Sequence, residues 1–348
     1  MSVDSLSTPV VLPQRAISER IDSVRYLMIV GIVLLHVPPY VPVEAVGTGL
    51  FEWWLAWVQH GVFRAAVPVL TAISGFLLFR AGLERDFTRL LVKKTRTLLV
   101  PLIVFNLPVA LAVAVLQWRG GGVHDFSHGL YPPTATGWAD ALLGLWAIPV
   151  NPALHFLRDL YVVSLLAPLL GWLARRHPLA GLLALLAVSW WNLDGWLVLR
   201  DSMLVNFYLG ALVVVRGWEP RGWDRWRWPL LMAFLVLSVL AVAFQDPLLY
   251  WLRLAAPLLV WPAAALLADT RLIRWLAGQS GSSFFIYVCH APLLFGGWLM
   301  YRRVLADALP YWLFWWGSAI LVIVSLRWLH RRVSARLPVA SRLLLGGR

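Results

Sequence analysis

The sequence predicts an all-α integral membrane protein, a polytopic bundle of about ten transmembrane helices. Apolar residues make up 60% of the 348-residue chain and charged residues only 14%, whereas soluble domains contain roughly 45–50% and 25%. Apolar runs of about 20 residues, the length that crosses a bilayer, recur along the chain. This composition excludes soluble, disordered and collagen-like proteins.

Hydropathy and flanking polarity predict ten membrane spans. The first 20 residues lack an apolar core followed by a small-residue cleavage site, so we expect the first span to be an uncleaved anchor. Two shorter Trp-containing stretches, 50–60 and 138–148, are predicted to be interfacial or re-entrant helices, because Trp favours the headgroup level. The predicted spans are 24–43, 61–79, 97–116, 154–174, 178–193, 196–215, 229–244, 247–268, 283–301 and 311–329.

Lys and Arg are distributed unevenly between the predicted loops. If the amino terminus is cytoplasmic, the inner segments carry 22 of the 30 Lys and Arg residues and the outer segments carry five. This asymmetry predicts that both termini are cytoplasmic. It also accounts for the net charge of +13 without a nucleic-acid partner. We therefore expect a cytoplasmic tail over 1–23, a transmembrane domain over 24–330 and a basic cytoplasmic tail over 331–348.

Polar side chains in the first span are candidates for function, because a charge at the bilayer centre costs roughly 2.5–3.5 kcal/mol. Arg25 and His36 are 11 residues apart, which is about three helical turns, so a continuous helix places both on one face about 16 Å apart. The residues alone leave two interpretations open. Either this pair does chemistry, or Arg25 extends to the headgroups and His36 satisfies a buried carbonyl.

The second span and the inner loop after it carry further candidates. Arg64 lies near the outer boundary, where it either serves a site or extends to the interface. Ser74 lies near the inner end beside Gly75, and small residues there also permit close helix packing. Lys93 and Arg96 lie in a basic, amphipathic loop that either anchors the chain to lipid headgroups or binds a cytosolic polyphosphate.

The fourth span opens with a polar cluster. His155 and Arg158 are three residues apart and share a helix face. Arg158 and the adjacent Asp159 point in different directions on a helix, so an ion pair between these neighbours is not expected. Each is instead expected to reach another helix or a polar cavity, where a structural pair between helices is the alternative to a functional role.

In the ninth span Tyr287 and His290 are three residues apart, and Pro292 is expected to bend or loosen the helix there. His124 and His128 have a spacing typical of metal ligands, but no third ligand is evident. A solvated loop is therefore the preferred interpretation of that pair, and we predict no metal site.

Taken together, these segments resemble the membrane-bound acyltransferase type 3 superfamily. The similarity runs in order over roughly residues 20–300, with a Lys at position 93 where the family motif begins with Arg. The motifs that carry it are Arg25 and His36 with ten residues between them, RAAVP…SGFLL (Arg64, Pro68, Ser74, Gly75), Lys93 with Arg96, HFLRDL from His155, NFYLGAL from Asn206, and SFFIYVCHAPLL with Ile286, Tyr287, His290, Pro292 and Leu293.

The resemblance implies an acyl-CoA-dependent O-acetyltransferase of the stand-alone, carbohydrate-modifying form. Such an enzyme moves an acyl group, usually acetyl, from cytosolic acyl-CoA to a hydroxyl of an envelope or exported glycan, such as lipopolysaccharide or exopolysaccharide, or its lipid-linked precursor. We therefore expect a bacterial inner-membrane protein whose partners are acyl-CoA, the acceptor glycan and membrane lipids. Acetyl-CoA is then the donor substrate, and no permanently bound cofactor is expected. Assembly into a homo-oligomer stays open.

The required chemistry suggests roles for the candidate residues. A sugar hydroxyl must lose its proton to attack a thioester, so His36 is the candidate base. The tetrahedral oxyanion needs a donor, which Arg25, Arg64, Arg158 or Tyr287 could supply. His36 and Arg25 are the predicted catalytic residues. Direct transfer and an acyl-His36 intermediate both stay open. Acyl-CoA binding is expected at Lys93, Arg96 and Ser74, and the substrate cavity at Arg64, His155, Arg158, Tyr287 and His290.

Two other functions were weighed against acyl transfer. A transporter or flippase for a lipid-linked saccharide would also place Arg and His residues inside the membrane. It predicts internal repeats or paired broken helices, which the sequence does not show. A third possibility is a structural scaffold of a polysaccharide-export complex, but it would not explain why Arg25 and His36 share one face of the first span.

Overall fold

A computed structural model describes residues 12–121, 127–195, 197–339 and 345. Within these residues the chain is helical and contains no β strand, as predicted. Three π turns, Trp57–Gly61, Thr95–Leu99 and Tyr301–Leu305, extend or join helices. The α helices are α1 (Leu12–Leu35), α2 (Leu50–Ala56), α3 (Ala66–Arg80), α4 (Phe87–Lys94), α5 (Val100–Trp118), α6 (Ala135–Leu143), α7 (His155–Leu165), α8 (Ala167–Arg176), α9 (Pro178–Trp190), α10 (Met203–Val215), α11 (Arg227–Phe244), α12 (Leu248–Ala263), α13 (Arg271–Met300) and α14 (Tyr311–Arg336).

Several helices are long and apolar enough to cross a membrane, which confirms an integral membrane protein. Six continuous helical stretches of the described chain meet this condition, and α7 with α8, bent by 55° at their junction, form a candidate seventh. The stretches are Leu50–Arg80, Phe87–Trp118, Asp224–Phe244, Leu248–Leu267, Arg271–Leu305 and Tyr311–Arg336. A total of about ten spans and the cytoplasmic position of both termini remain predictions.

Two helix pairs form the centre of the bundle: α3 packs along α10, and α1 packs along α13. Glycines allow the first pair to approach closely. A Cβ atom on Gly75 would lie 2.2 Å from the Phe207 carbonyl oxygen, and one on Gly210 would lie 2.0 Å from the Ala72 carbonyl oxygen. Since no side chain fits at either position, Gly75 has the packing role that its small size suggested.

Residues 50–60 do not form the separate interfacial or re-entrant helix that the sequence predicts. They begin one helical stretch that continues through the π turn Trp57–Gly61 and the 3₁₀ turn Val62–Ala65 into α3. The polar side chains of Gln59 and His60 are buried there, and they hydrogen-bond to the carbonyl oxygens of Leu34, at the end of α1, and Val41, in the chain after it. In the other short stretch, α6 ends at Gly144 in a left-handed conformation (φ 64°), so 145–148 are not helical.

The first helix is shorter at its carboxyl-terminal end than predicted. It ends at Leu35, so His36 lies in the turn that follows and not on the helix. Pro38 and Pro39 explain this ending, because proline lacks the N–H of a helical hydrogen bond and disfavours helix in the residue before it. The predicted continuous helical face that carries both Arg25 and His36 is therefore wrong.

A further difference concerns the predicted sixth span, and the ninth contains the proline that was singled out. Helix α10 begins at Met203, so the described residues 197–202 form an irregular segment before it, although the prediction placed a span from 196. This irregular backbone carries charged side chains into the interior. Helix α13 runs through Pro292 without a break.

Candidate functional site

A cavity of about 920 Å³ opens where the ends of several helices meet. It brings together four of the predicted residues: His36, Arg64, His155 and Tyr287. Most of its remaining wall is apolar, with Pro, Val, Ile and Phe side chains. The other residues with polar groups that line it are Tyr40, Ser127, Asn151, Arg200, Asp201, Ser202, Arg253 and Trp298.

His36 is held in one tautomer. Its Nδ1 lies 2.8 Å from the Ile32 carbonyl oxygen, which can only accept a hydrogen bond. Nδ1 therefore carries a proton, and in the neutral ring Nε2 carries the lone pair. Because His36 lines the cavity, this arrangement suits a general base whose basic atom is Nε2.

The turn that carries His36 is fixed from two sides. Leu34 and Val37 lie on either side of His36 in the sequence. The buried Gln59 side chain donates to the carbonyl oxygens of both, at 3.1 and 3.4 Å. The Tyr311 hydroxyl donates to the Pro38 carbonyl oxygen at 3.0 Å. Carbonyls at and after the end of α1 thereby gain hydrogen-bond partners, and the imidazole is positioned by packed elements rather than by a free loop.

Arg64 lines the cavity beside this turn. Its guanidinium hydrogen-bonds to the Tyr40 hydroxyl and lies 3.3 Å from Nδ1 of His60. The other ring nitrogen of His60 lies 2.9 Å from the Val41 carbonyl oxygen and must donate to it. His60 Nδ1 is then an acceptor, so His60 orients the Arg64 guanidinium and is not itself available as a base.

His155 and Arg200 form a second oriented pair on the cavity wall. His155 Nδ1 lies 2.6 Å from the Pro152 carbonyl oxygen and donates to it, and His155 Nε2 accepts from Arg200 Nε at 3.1 Å. Both nitrogens of His155 are thus engaged within the protein. His155 is therefore a support for Arg200, whose guanidinium lines the cavity.

Asp159 anchors the irregular segment behind Arg200. Its carboxylate accepts from the backbone N–H groups of Leu199 and Arg200 at 3.2 and 3.1 Å. Arg158 reaches across to the carbonyl oxygens of Gly144, at 2.9 Å, and Leu197. Both side chains reach away from their own helix as expected, although their partners are backbone groups at the end of α6 and in the irregular segment, and not another helix or the cavity.

The expectation that these neighbours form no ion pair is wrong. Arg158 also bonds to the Asp159 carboxylate at 2.9 Å. Both residues lie in the first turns of α7 and reach to the same irregular segment, so their side-chain ends meet there although their Cα–Cβ bonds diverge. Arg158 is not among the residues that line the cavity; it supports the wall from behind.

Tyr287 and His290 lie on α13 beside His36. The Tyr287 hydroxyl donates to the Ala153 carbonyl oxygen, and His290 Nδ1 lies 2.6 Å from the Tyr287 carbonyl oxygen. The His290 ring packs edge-on against the His36 ring, with centroids 5.1 Å apart. His290 is completely buried, and its Nε2 has no hydrogen-bond partner among the described residues. It contacts the candidate base without lining the cavity.

Asp201 and Arg253 form an ion pair on the cavity wall. Arg253 donates to both carboxylate oxygens of Asp201, at 2.8 and 2.9 Å. Asp201 is the one carboxylate among the described residues that line this cavity. The pair ties the irregular segment before α10 to α12.

The remaining predicted residues lie away from the cavity. Arg25 lies within α1, 3.7 Å from the Asp22 carboxylate. Ser74 bonds to the Leu70 carbonyl oxygen of its own helix at 2.7 Å. Lys93, in α4, and Arg96, in the π turn Thr95–Leu99, have exposed side chains. None of these four residues lines the cavity.

The predicted solvated histidine loop is wrong for His128. This residue is buried, with Nε2 2.8 Å from the Ile148 carbonyl oxygen and Nδ1 3.6 Å from the Asp140 carboxylate. His124 lies outside the described residues. No group of three or more His, Cys, Asp or Glu residues that could hold a metal ion occurs in the described part of the chain.

Sequence reasoning missed Arg200, Asp201, Arg253, Tyr40 and Asn151. For Arg253 a signal was present, because it is a charge inside the predicted eighth span, and the insertion cost used for Arg25 applies equally to it. Arg200 and Asp201 fall near one end of the predicted sixth span, 196–215, where charges are ordinary. Only the irregular segment before α10 shows that they point into the interior.

Comparison with known proteins identifies the family of this chain. A family model described as an acyltransferase domain matches residues 18–328. The chain is 34% identical to the succinoglycan biosynthesis protein ExoH of Rhizobium meliloti (strain 1021), over 95% of this chain and 93% of that protein. No solved structure matches the chain. The family match covers most of the transmembrane bundle, so the chain belongs to the membrane-bound acyltransferase type 3 superfamily.

Proposed function

We propose that this protein moves an acetyl group from cytosolic acyl-CoA to a hydroxyl of an exported polysaccharide or its lipid-linked precursor, in a bacterial inner membrane. The family supports acyl transfer, and the relative named for succinoglycan biosynthesis supports a polysaccharide acceptor. The observation that carries the proposal is the tautomer of His36, which leaves a basic Nε2 on a cavity lined by guanidinium groups.

His36 acts as the general base in this proposal. The acceptor hydroxyl oxygen attacks the thioester carbonyl carbon while its proton passes to His36 Nε2. The carbon–sulfur bond then breaks, and the departing CoA thiolate takes the proton from His36. The bond from Nδ1 to the Ile32 carbonyl stays in place throughout, so the ring needs no rotation between the two proton transfers.

Arg200 is the proposed donor to the tetrahedral oxyanion. Its Nε bond to His155 and its backbone bond to Asp159 fix the guanidinium before substrate binds. Donors that are oriented in advance, away from bulk water, stabilise developing negative charge most effectively. Tyr287 is less suited to this role, because its hydroxyl proton is engaged by the Ala153 carbonyl.

Lys93 and Arg96 are the proposed site for the CoA phosphates. Both side chains are exposed on a basic segment that the Lys and Arg distribution assigns to the cytoplasmic face. Phosphate oxygens form strong charge-assisted hydrogen bonds to such cations. The acyl-pantetheine arm then has to pass inward from this segment to reach His36.

The test uses purified protein, acetyl-CoA labelled in the acetyl group, and polysaccharide from cells that lack this gene. We expect label in the polysaccharide as an alkali-labile ester, formed only when protein is present. In parallel, mass spectrometry should show that deleting the gene removes one ester from the polysaccharide. An unlabelled polysaccharide, together with an unchanged ester content in the deletion strain, would contradict the proposal.

A further inference from the structure

The Asn151 side chain is not used by the fold. It is 1% exposed and lines the cavity. Neither its Nδ2 nor its Oδ1 forms a hydrogen bond with any residue that the structure describes. Buried polar atoms are nearly always paired, because leaving one unpaired costs the protein stability. A side chain with both an unused donor and an unused acceptor on a cavity wall therefore points to a ligand.

The Asn151 backbone, in contrast, is held firmly. Its N–H donates to Asn106 Oδ1 at 3.1 Å, and its carbonyl oxygen accepts from the Leu154 N–H at 3.0 Å. Asn106 is itself fixed, because its Nδ2 donates to the Leu142 carbonyl oxygen at 3.0 Å. The carboxamide is thus presented to the cavity from a rigid support, as a binding group requires.

The buried Gln117 shows what a structural carboxamide looks like in the same protein. Its Oε1 accepts from the backbone N–H groups of Leu130 and Tyr131, and its Nε2 donates to the His128 carbonyl oxygen. Every polar atom of Gln117 is engaged, and Gln117 does not line the cavity. Asn151 has the same chemistry and is also buried, but it has none of these bonds, so its role differs.

We infer that Asn151 is an acceptor-binding residue, which hydrogen-bonds to hydroxyl groups of the glycan that receives the acyl group. This inference rests on the proposed function. A sugar hydroxyl can both donate and accept, so neighbouring hydroxyls on one ring satisfy Oδ1 and Nδ2 of a single carboxamide. Discrimination at such a site is strong, because a ligand that lacks the hydroxyl leaves buried polar atoms unpaired.

The surroundings of Asn151 favour the glycan over the acyl-CoA donor. Its cavity also contains the Asp201 carboxylate, which can accept from hydroxyls, and the aromatic rings of Tyr40 and Trp298. Such amphipathic rings with a few polar groups are typical of a site that orients a polar small molecule. The cations proposed to bind CoA phosphates, Lys93 and Arg96, lie outside this cavity.

Replacing Asn151→Leu tests the inference, because leucine has a similar size and no polar atom. We expect the KM for the polysaccharide to rise about tenfold, since two hydrogen bonds are lost, while the KM for acetyl-CoA changes less than twofold. Direct binding of the same polysaccharide to the purified variant, without donor, should weaken by a similar factor. Thermal stability should stay equal or increase, because the substitution removes two unpaired polar atoms.

Gln117→Leu is the matched control and should lower thermal stability without a selective rise in the polysaccharide KM. Asn151→Asp, which keeps only acceptor atoms, should fall between the wild type and Asn151→Leu. Unchanged polysaccharide binding in Asn151→Leu, or a rise in the acetyl-CoA KM instead, would overturn the inference. If the wild type binds polysaccharide but uses no acetyl-CoA, the proposed donor is wrong, and the binding comparison still decides the role of Asn151.

Discussion

The cavity wall and the basic inner segment, residues 80–96, are both rich in cations but hold them differently. In the cavity, Arg64, Arg200 and Arg253 each bond to a partner side chain. In the inner segment, the Lys93 and Arg96 side chains are exposed. Oriented, half-buried donors suit the stabilisation of charge during a reaction, whereas exposed cations suit the capture of an anionic ligand. The two regions therefore suggest a division between chemistry and donor binding.

This difference should appear in how strongly each region responds to mutation. A group that acts in the transition state contributes to kcat, and its loss is large. An exposed cation is screened by solvent and salt, so its loss is modest and depends on ionic strength. The three predictions that follow run from the largest expected effect to the smallest.

The His36→Ala variant should lose about 10²–10⁴-fold in turnover, the usual contribution of a general base. Labelled transfer to polysaccharide would measure the loss, with thermal stability recorded in parallel. His177→Ala is the matched control, because His177 is exposed and outside the cavity; it should keep normal turnover. If His36→Ala remains active while His290→Ala is inactive, the base lies on α13 instead.

The Arg200→Gln variant should lower kcat about 10²–10³-fold, the loss typical of an oxyanion donor, with little change in either KM. Single-turnover transfer at saturating substrates would measure it. His155→Ala should show a weaker form of the same defect, because it removes only the support of Arg200 Nε. Arg119→Gln, an exposed site away from the cavity, serves as the control. Equal activity of Arg200→Gln and Arg119→Gln would exclude the proposed role.

The double variant Lys93→Ala/Arg96→Ala should raise the KM for acetyl-CoA at least about tenfold and leave the polysaccharide KM unchanged. Each charge-assisted contact to phosphate is worth roughly 1.5–3 kcal/mol, reduced here because both side chains are exposed. The effect should shrink as salt rises from 50 to 500 mM, which steady-state kinetics can follow. An unchanged acetyl-CoA KM at low salt would mean that this segment only anchors the chain to lipid.

Much of the site could be anticipated because some residue types are costly in a membrane. His36, Arg64, His155 and Tyr287 stood out as polar groups within apolar spans, and the cavity contains all four. The same argument selected Arg25, which pairs with Asp22 on its own helix. Insertion cost identifies a polar residue that needs an explanation, but it does not distinguish a local ion pair from a cavity.

These wrong predictions of local structure share one cause. A local sequence pattern carries no information about partners that are distant in the sequence. Residues 50–60 were expected to form a separate helix, yet they belong to one continuous helical stretch, in which Gln59 is buried and bonds to the carbonyls of Leu34 and Val37. The Arg158 and Asp159 side chains diverge on an ideal helix. Here both hydrogen-bond to the irregular segment before α10, and their ends also bond to each other. In each case a residue far away in the sequence decided the conformation.

Composition and periodicity were sufficient to establish a helical membrane protein, and the ordered motifs were sufficient for its family, since both depend on the residues alone. The tautomer of His36, the support of Arg200 by His155 and the unused carboxamide of Asn151 came only from the folded chain. Each depends on which carbonyl or side chain lies within hydrogen-bonding distance. Those distances are set by the packing of helices such as α1 against α13 and α3 against α10, and not by any local stretch of sequence.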